Sequence, residues 1–271
     1  MGADGTDLIQ ALGEQVVGKA YDDLAKPTLQ PLGEAVAGLI KAITFYPRYW
    51  SQALDISLVD KVKRFEEKLK QNIEEIRGDR QLPPPEIVGP SIQALEYKVF
   101  DDEISDLFSK LIATSMDVGK KNSVHPAFVD IIKQMTSDEA RIIRLFSKER
   151  YQPALSISED LDISNKMVSK NFNLVAIDAG CDLPEKFKAY LENLERLGLI
   201  YIMGDQVKRP PSRIKNTDYS RLENSLKVIM QEYREKNQYE GEFHITRKLF
   251  DTTRLGKDFI DACVKTDTGE N

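Results

Sequence analysis

Three consecutive prolines, Pro83, Pro84 and Pro85, place the strongest constraint on what this chain can fold into. Proline fixes its own φ and keeps the residue before it out of the helical region, so the three form a stiff, extended connector. The residues before them have a helical pattern, because apolar positions over 56–77 recur at three- and four-residue steps opposite a face of Lys and Glu. We therefore predict a helical N-terminal segment over 1–82, which ends at the prolines.

Beyond the prolines, the pattern changes again near residue 136. Helical spacing over 90–116 and 126–135 predicts a helical central part, which we place at 83–135. Thr136 and Glu139 have the spacing of a capping box, which predicts the start of another helix. From there on, short apolar runs that are typical of strands alternate with helical patterns.

The alternation after residue 136 predicts a winged-helix-like order of elements. The predicted strands are 154–157, 199–202 and 241–250. One predicted helix runs through Met167 and Val168, and others cover 187–197, 219–233 and 255–264. This is the order of a winged helix with a helical insertion in its wing. We therefore expect a mainly α protein with a winged-helix-like α+β domain over 136–265 and a disordered tail over 266–271.

Composition argues against several classes of function. The chain has 38 Lys and Arg against 44 Asp and Glu, a formal net charge of −6, so phosphate backbones are repelled by the molecule as a whole. Its two cysteines and two histidines leave little room for a zinc site or a catalytic triad. It contains no Gly-rich phosphate loop, nucleophile elbow or zinc-protease motif. We therefore expect no cofactor, no metal and no enzymatic centre.

The cell compartment follows from two further features of the sequence. The first residues are acidic where a secretory signal peptide would be basic. The chain has no run of about eighteen uninterrupted apolar residues that could span a bilayer. We expect a cytoplasmic protein, with peripheral contact at the inner membrane as a further option.

The most suggestive segment for binding lies between Pro31 and Pro47 and is apolar over most of a helix circumference. An apolar stripe with aromatic residues at its end would suit a membrane surface or a partner helix. A helix that is apolar all round is more often buried, within the protein or in an oligomer, and we favour burial. The candidate membrane or partner residues are Leu32, Val36, Leu39, Ile40, Ile43 and Trp50.

Two other candidate sites are weaker. A mildly basic stretch would act as a nucleic-acid-binding wing, and its residues are Lys208, Arg209, Arg213, Lys215, Arg247 and Lys248. Asp117 and His125 flank a polar turn, and we favour a structural clamp between them over a catalytic base. Asp101, Asp102 and Glu103 with Lys110 would suit a nuclease, but acids at a helix start are more simply explained by the helix dipole.

Several short strings in the chain are familiar when taken together. They are Ser115-Met116-Asp117, His125-Pro126-Ala127-Phe128-Val129, Ser137-Asp138-Glu139-Ala140, Gly180-Cys181, and Leu197-Gly198-Leu199-Ile200 with Thr253, Gly256 and Phe259. The sequence resembles the abortive-infection alpha family from about Lys19 to Val264. The resemblance implies a role in bacterial defence against phage, but it supplies no catalytic residues.

The function that we predict is phage defence by abortive infection, without chemistry of the protein's own. The expected partners are further copies of the chain or another defence protein, a phage-derived trigger and peripheral membrane contact, with nucleic acid less favoured. One alternative is a winged-helix DNA-binding regulator of a defence operon. Another is a cryptic enzyme such as a nuclease.

Overall fold

A computed structural model describes residues 56–159, 166–203 and 216–264. These residues divide into two units. The first unit holds those up to Ser137 and from Asp258 onward, and the second unit holds Asp138–Lys257.

The first unit is built from helices. In chain order they are α1 (Ile56–Glu74), α2 (Pro85–Lys98), α3 (Asp102–Ser115), a 3-10 helix (Val118–Ser123) and α4 (Ala127–Lys133). Helix α3 is the centre of this unit, because it packs against α1, α2 and α4 and is buried over most of its length. Its apolar residues are fully buried: Ile104, Leu107, Phe108, Leu111 and Ile112.

Helix α1 confirms the helical spacing that precedes the prolines. All five apolar positions of its stripe are buried: Val62, Phe65, Leu69, Ile73 and Ile76. The opposite face carries charge, and the Glu66 carboxylate accepts a hydrogen bond from Lys70 Nζ at 2.6 Å in the favourable i, i+4 order. Helix α2 begins at Pro85, where a proline is tolerated because the N–H of the first turn has no helical acceptor.

The second unit combines helices with a sheet. In chain order its elements are α5 (Ser137–Lys148), β1 (Gln152–Glu159), β2 (Lys166–Phe172), α6 (Val175–Asp178), a 3-10 helix (Pro184–Lys186), α7 (Phe187–Arg196), β3 (Ile200–Met203), α8 (Asn216–Asn237), β4 (Phe243–Thr252) and α9 (Arg254–Cys263). Only the first residues of α9 belong to this unit. The strands form one antiparallel sheet in the order β2-β1-β4-β3.

The sheet and helix α8 share an apolar core. Leu155 and Ile157 of β1 pack with Tyr219, Leu222 and Leu226 of α8. Opposite them in the sheet, Leu155 pairs with Arg247 and Ile157 with Ile245 of β4. The predicted strands at 154–157, 199–202 and 241–250 and the predicted helix at 219–233 are therefore confirmed, with small shifts at their ends.

The predicted fold class is wrong, and strand β2 is the main reason. Met167 and Val168 were expected in a helix, but they lie in β2, which pairs antiparallel with β1. Val168 and Phe172 pack against the core formed by β1 and α8, and this burial favours an extended strand over a short helix. The described residues form a mixed α+β fold with a four-stranded sheet, not a mainly α protein with a winged-helix-like part.

A close backbone approach fixes the start of α9. A Cβ atom on Gly256 would lie 1.9 Å from the carbonyl oxygen of Leu199, so only glycine fits there. The Thr253 hydroxyl donates to the carbonyl of Gly198 and accepts from the N–H of Gly256, and the Thr253 N–H donates to Leu199. Thr253 thus caps α9 and joins it to the end of α7, which closes at Gly198 with φ of 73°.

We predict that Gly256→Ala lowers the free energy of unfolding by about 2 kcal/mol or more, because the clash is with backbone and cannot be relieved by a rotamer change. Urea unfolding followed by circular dichroism measures this. Gly89→Ala is the matched control, since a Cβ there meets nothing within 4 Å and the glycine lies inside α2. It should be neutral or stabilise by up to about 1 kcal/mol. Equal stability of the two variants would contradict the close packing at Gly256.

Candidate functional site

The predicted membrane or partner segment lies outside the described residues. This holds for all of its candidate positions: Leu32, Val36, Leu39, Ile40, Ile43 and Trp50. Among the helices that the structure describes, none is both long and apolar enough to cross a membrane.

Two of the six residues of the predicted basic wing are described, and they lie against α8. Lys208, Arg209, Arg213 and Lys215 lie outside the described residues, whereas Arg247 and Lys248 lie on β4. Arg247 donates to the Glu223 carboxylate at 2.8 Å, and its guanidinium lies 4.9 Å from the centre of the Tyr219 ring. The Lys248 carbonyl accepts from the Tyr219 hydroxyl at 3.0 Å. These contacts hold α8 on the sheet.

Asp117 and His125 both make local hydrogen bonds. The Asp117 carboxylate accepts from the Gly119 N–H at 2.9 Å and caps the 3-10 helix. Nδ1 of His125 accepts from the Ala127 N–H at 3.1 Å, just before α4. The hydrogen bonds of the two side chains thus stay within their own segments, and none of them joins Asp117 to His125.

The acidic residues at the start of α3 stabilise the helix and its neighbours. Asp101 is the N-cap, and its Oδ1 accepts from the N–H groups of Glu103 and Ile104, both at 3.1 Å. Asp102 pairs with Lys61 of α1 at 2.7 Å, and this hydrogen bond is the main reason that its pKa is lowered. Lys110 pairs with Glu75 at 3.2 Å. In the described part of the chain, no group of three or more His, Cys, Asp or Glu is arranged to hold a metal ion.

A buried carboxylate at the start of α5 organises the loop before α7. Asp138 Oδ1 accepts from the Asp182 N–H and from Arg141, both at 2.9 Å, and Oδ2 accepts from the Leu183 N–H at 3.2 Å and the Tyr190 hydroxyl at 2.8 Å. We call these five residues the Asp138 cluster. Sequence analysis missed it, because an acid in the first turn of a helix indicates only helix capping.

The pKa values in this cluster follow from burial and hydrogen bonding. Burial alone would raise the pKa of Asp138, but the N–H groups of Asp182 and Leu183 and the Tyr190 hydroxyl outweigh it, so the pKa lies below its ordinary value of 3.8. Burial, and then the hydrogen bond to Asp138, raise the pKa of Tyr190. Burial raises the pKa of the nearby Cys181 thiol to about 11, which keeps it protonated and poorly nucleophilic at neutral pH.

A second buried carboxylate lies on β4. Asp251 accepts from Arg150 through both oxygens, at 2.6 Å from Nε and 2.8 Å from Nη2, and its Oδ2 also accepts from the Tyr201 hydroxyl at 3.0 Å. The Arg150 guanidinium lies 4.8 Å from the centre of the Tyr151 ring. We call these four residues the Asp251 cluster. No local motif could have indicated it, because Arg150 and Asp251 are 101 positions apart.

A further buried carboxylate, Glu159, ends β1. It accepts a hydrogen bond from the Tyr233 hydroxyl of α8, and Lys166 at the start of β2 lies 3.7 Å from it. Across the described residues, no buried side-chain nitrogen or oxygen lacks a hydrogen-bond partner. Asp138, Asp251 and Glu159 thus each hold a loop, helix or strand of the second unit in place.

The described residues form an α+β protein in two units. Its buried acids bind backbone and side-chain groups of the same chain. The chain belongs to the abortive infection alpha family, whose model matches residues 57–263. This confirms the resemblance predicted from the sequence. A similar solved structure is that of an uncharacterized protein from the hydrocarbon-degrading marine bacterium Alcanivorax borkumensis SK2. It is 17% identical with a TM-score of 0.35, over 55% of this chain and 98% of that one. No curated protein matches the chain.

We predict that Asp138→Asn lowers the free energy of unfolding by about 1–3 kcal/mol at pH 7, since a neutral amide cannot accept the same set of hydrogen bonds. Because folding lowers the Asp138 pKa, this stabilisation is complete above the ordinary value of 3.8 and is lost as the pH falls through the folded pKa. The difference between variant and wild type should therefore shrink below about pH 4.

Denaturant unfolding at several pH values tests this, with Asp182→Asn as the control. The Asp182 side chain is 74% exposed and its pair with Arg141 is a surface ion pair, so its loss should cost well under about 1 kcal/mol. A pH-independent difference for Asp138→Asn would show that the charge of Asp138 is not what stabilises the loop.

Proposed function

We propose that this protein defends bacteria against phage by abortive infection, acting in the cytoplasm through binding to other proteins or to copies of itself. The observation that carries the proposal is the match of residues 57–263 to the abortive infection alpha family. In abortive infection an infected cell is arrested or sacrificed before phage is released. Such a role requires that the protein be switched on by infection and then act on a cellular target.

The way in which the buried acids are used supports action by binding rather than catalysis. Asp138 and Asp251 each accept three or more hydrogen bonds from their own unit, and Asp101 caps α3. A catalytic acid or base needs a lone pair or proton directed at a substrate. The oxygens of these acids are directed at backbone amides, Arg, Tyr and Ser instead.

Exposed aromatic side chains at the end of α2 offer a surface for a partner. Tyr97 is 79% exposed and Phe100 is 48% exposed, three positions further on. Aromatic anchors carry much of the energy of protein interfaces, so exposed aromatic side chains are candidate contacts for a partner. We call Tyr97 and Phe100 the α2 aromatic pair and propose that it contacts a protein partner.

The proposed protein partner is a phage-derived trigger or another copy of the chain. The apolar segment around Ile40 and Ile43 would add self-association or peripheral membrane contact, as its sequence predicts. Cell leakage after infection distinguishes a membrane target from a purely protein target.

Phage challenge of bacteria with and without this gene tests the proposed function. At low phage dose the gene should reduce plaques, and at high dose the culture should collapse or arrest, because protection by abortive infection requires that infected cells fail. Survival of individual infected cells at high dose would instead indicate a defence that spares the host. No protection against a broad phage panel, with the protein expressed and folded, would contradict the proposal.

We further predict that the double variant Tyr97→Ser, Phe100→Ser reduces protection about tenfold or more, because loss of aromatic anchors weakens an interface strongly. Its thermal stability should change little, since exposed positions rarely contribute more than about 0.5 kcal/mol. The matched control is Ile177→Ser, Val228→Ser, which removes two side chains of the second unit that are 58% and 60% exposed. Equal protection by both double variants and wild type would remove the α2 aromatic pair from the mechanism.

A further inference from the structure

Arg150 is held rigidly at the surface by a carboxylate beneath it. The Asp251 side chain is only 4% exposed, whereas that of Arg150 is 43% exposed. Both oxygens of Asp251 bind Arg150, through Nε and Nη2, and this bidentate geometry fixes the plane of the guanidinium. The Tyr201 hydroxyl completes the hydrogen bonding of the acid.

This arrangement leaves one nitrogen of the guanidinium unused. Nε and Nη2 donate to Asp251, and Nη1 has no acceptor within the described ranges 56–159, 166–203 and 216–264. An arginine side chain has five N–H donors in a planar fork, so a fixed guanidinium with a free Nη1 can still donate to an incoming acceptor. Since Asp251 already restrains Arg150, binding there would lose little side-chain entropy.

Two tyrosines belong to the same cluster, Tyr151 through its ring and Tyr201 through its hydroxyl on Asp251. The Tyr151 ring is half-buried and stacks on the guanidinium at 4.8 Å, and Tyr201 is 39% exposed. Tyrosine and arginine are among the residue types most enriched in the energetic centres of protein interfaces. Their rings could cover the apolar part of a side chain whose polar end reaches Arg150.

The charges of the cluster favour a single carboxylate over a polyphosphate. Arg150 and Asp251 sum to zero, so the cluster attracts an anion only at short range and through directed N–H groups. A nucleic-acid backbone needs a strongly basic face, and the chain as a whole carries a formal net charge of −6. A protein carboxylate carries a single charge, and one well-placed arginine can bind it through directed hydrogen bonds.

We propose that the Asp251 cluster is a binding site for an Asp or Glu side chain of a protein partner, with Nη1 of Arg150 as the donor and the rings of Tyr151 and Tyr201 as its walls. The choice of a protein as partner rests on the proposed function. The site itself is independent of phage protection and is tested on the purified full chain.

The probes are two peptide libraries of nine random residues, one with a fixed central Glu and one with a fixed central Gln. Immobilised protein should retain the Glu library about tenfold better than the Gln library, because a charge-assisted hydrogen bond is lost with Gln. Fluorescently labelled oligothymidine is the third probe and should bind more weakly than the Glu library. Equal retention of the two libraries, or tighter binding of the oligonucleotide, would overturn the proposal.

Variants assign the preference to Arg150. Arg150→Gln should bring the ratio of Glu to Gln retention close to one. Arg150→Lys keeps the positive charge beside Asp251, so it controls for misfolding. Because lysine lacks the planar guanidinium, this variant should also lose most of the preference for the Glu library. Thermal unfolding of each variant shows that it remains folded.

Arg247→Gln is the matched control. Arg247 lies in the same unit, is 50% exposed and pairs with Glu223, but that carboxylate is itself 34% exposed and is bound through a single oxygen. This variant should keep the full preference for the Glu library. Loss of preference in Arg247→Gln as large as in Arg150→Gln would mean that any exposed arginine suffices, and a preference retained in Arg150→Gln would exclude the site.

Discussion

A buried carboxylate requires hydrogen-bond donors around it, and much of the described structure depends on how this requirement is met. An unpaired carboxylate inside a protein costs several kcal/mol, by order of magnitude, so each buried acid fixes the groups that surround it. In the second unit Asp138 holds the loop before α7, Asp251 holds the segment that leads into β1, and Glu159 holds α8. Each acid therefore ties distant parts of the chain together at a defined geometry.

A framework fixed in this way suits a protein that works by recognition. Restrained side chains bind a partner at low entropic cost; Tyr97 lies on α2, and Arg150 is held by Asp251. The two surfaces also differ in chemistry. The α2 aromatic pair offers apolar contact, whereas Arg150 offers a directed hydrogen-bond donor beside the Tyr151 ring. The chain belongs to the abortive infection alpha family, and partner binding at these two surfaces is our proposal for how it acts.

Most helices could be predicted because their signals are local. The stripe from Val62 to Ile76 repeats every three or four residues, and its burial follows directly from that spacing. The proline at the start of α2 and the glycine after α7 mark helix ends by their own backbone preferences. Strand β2 was mispredicted because seven residues are too few for periodicity to separate strand from helix, and its pairing with β1 decides between them.

The sequence by itself determined most of the helices, the break at the prolines and the family, since each depends on residue types at short or fixed spacing. Only the tertiary structure decided that the second unit contains a four-stranded sheet and that its buried acids find donors far away in the chain. Arg150 meets Asp251 across 101 positions and Glu159 meets Tyr233 across 74. The physical reason is that strand pairing and charge pairing depend on which segments fold together, which local spacing does not record.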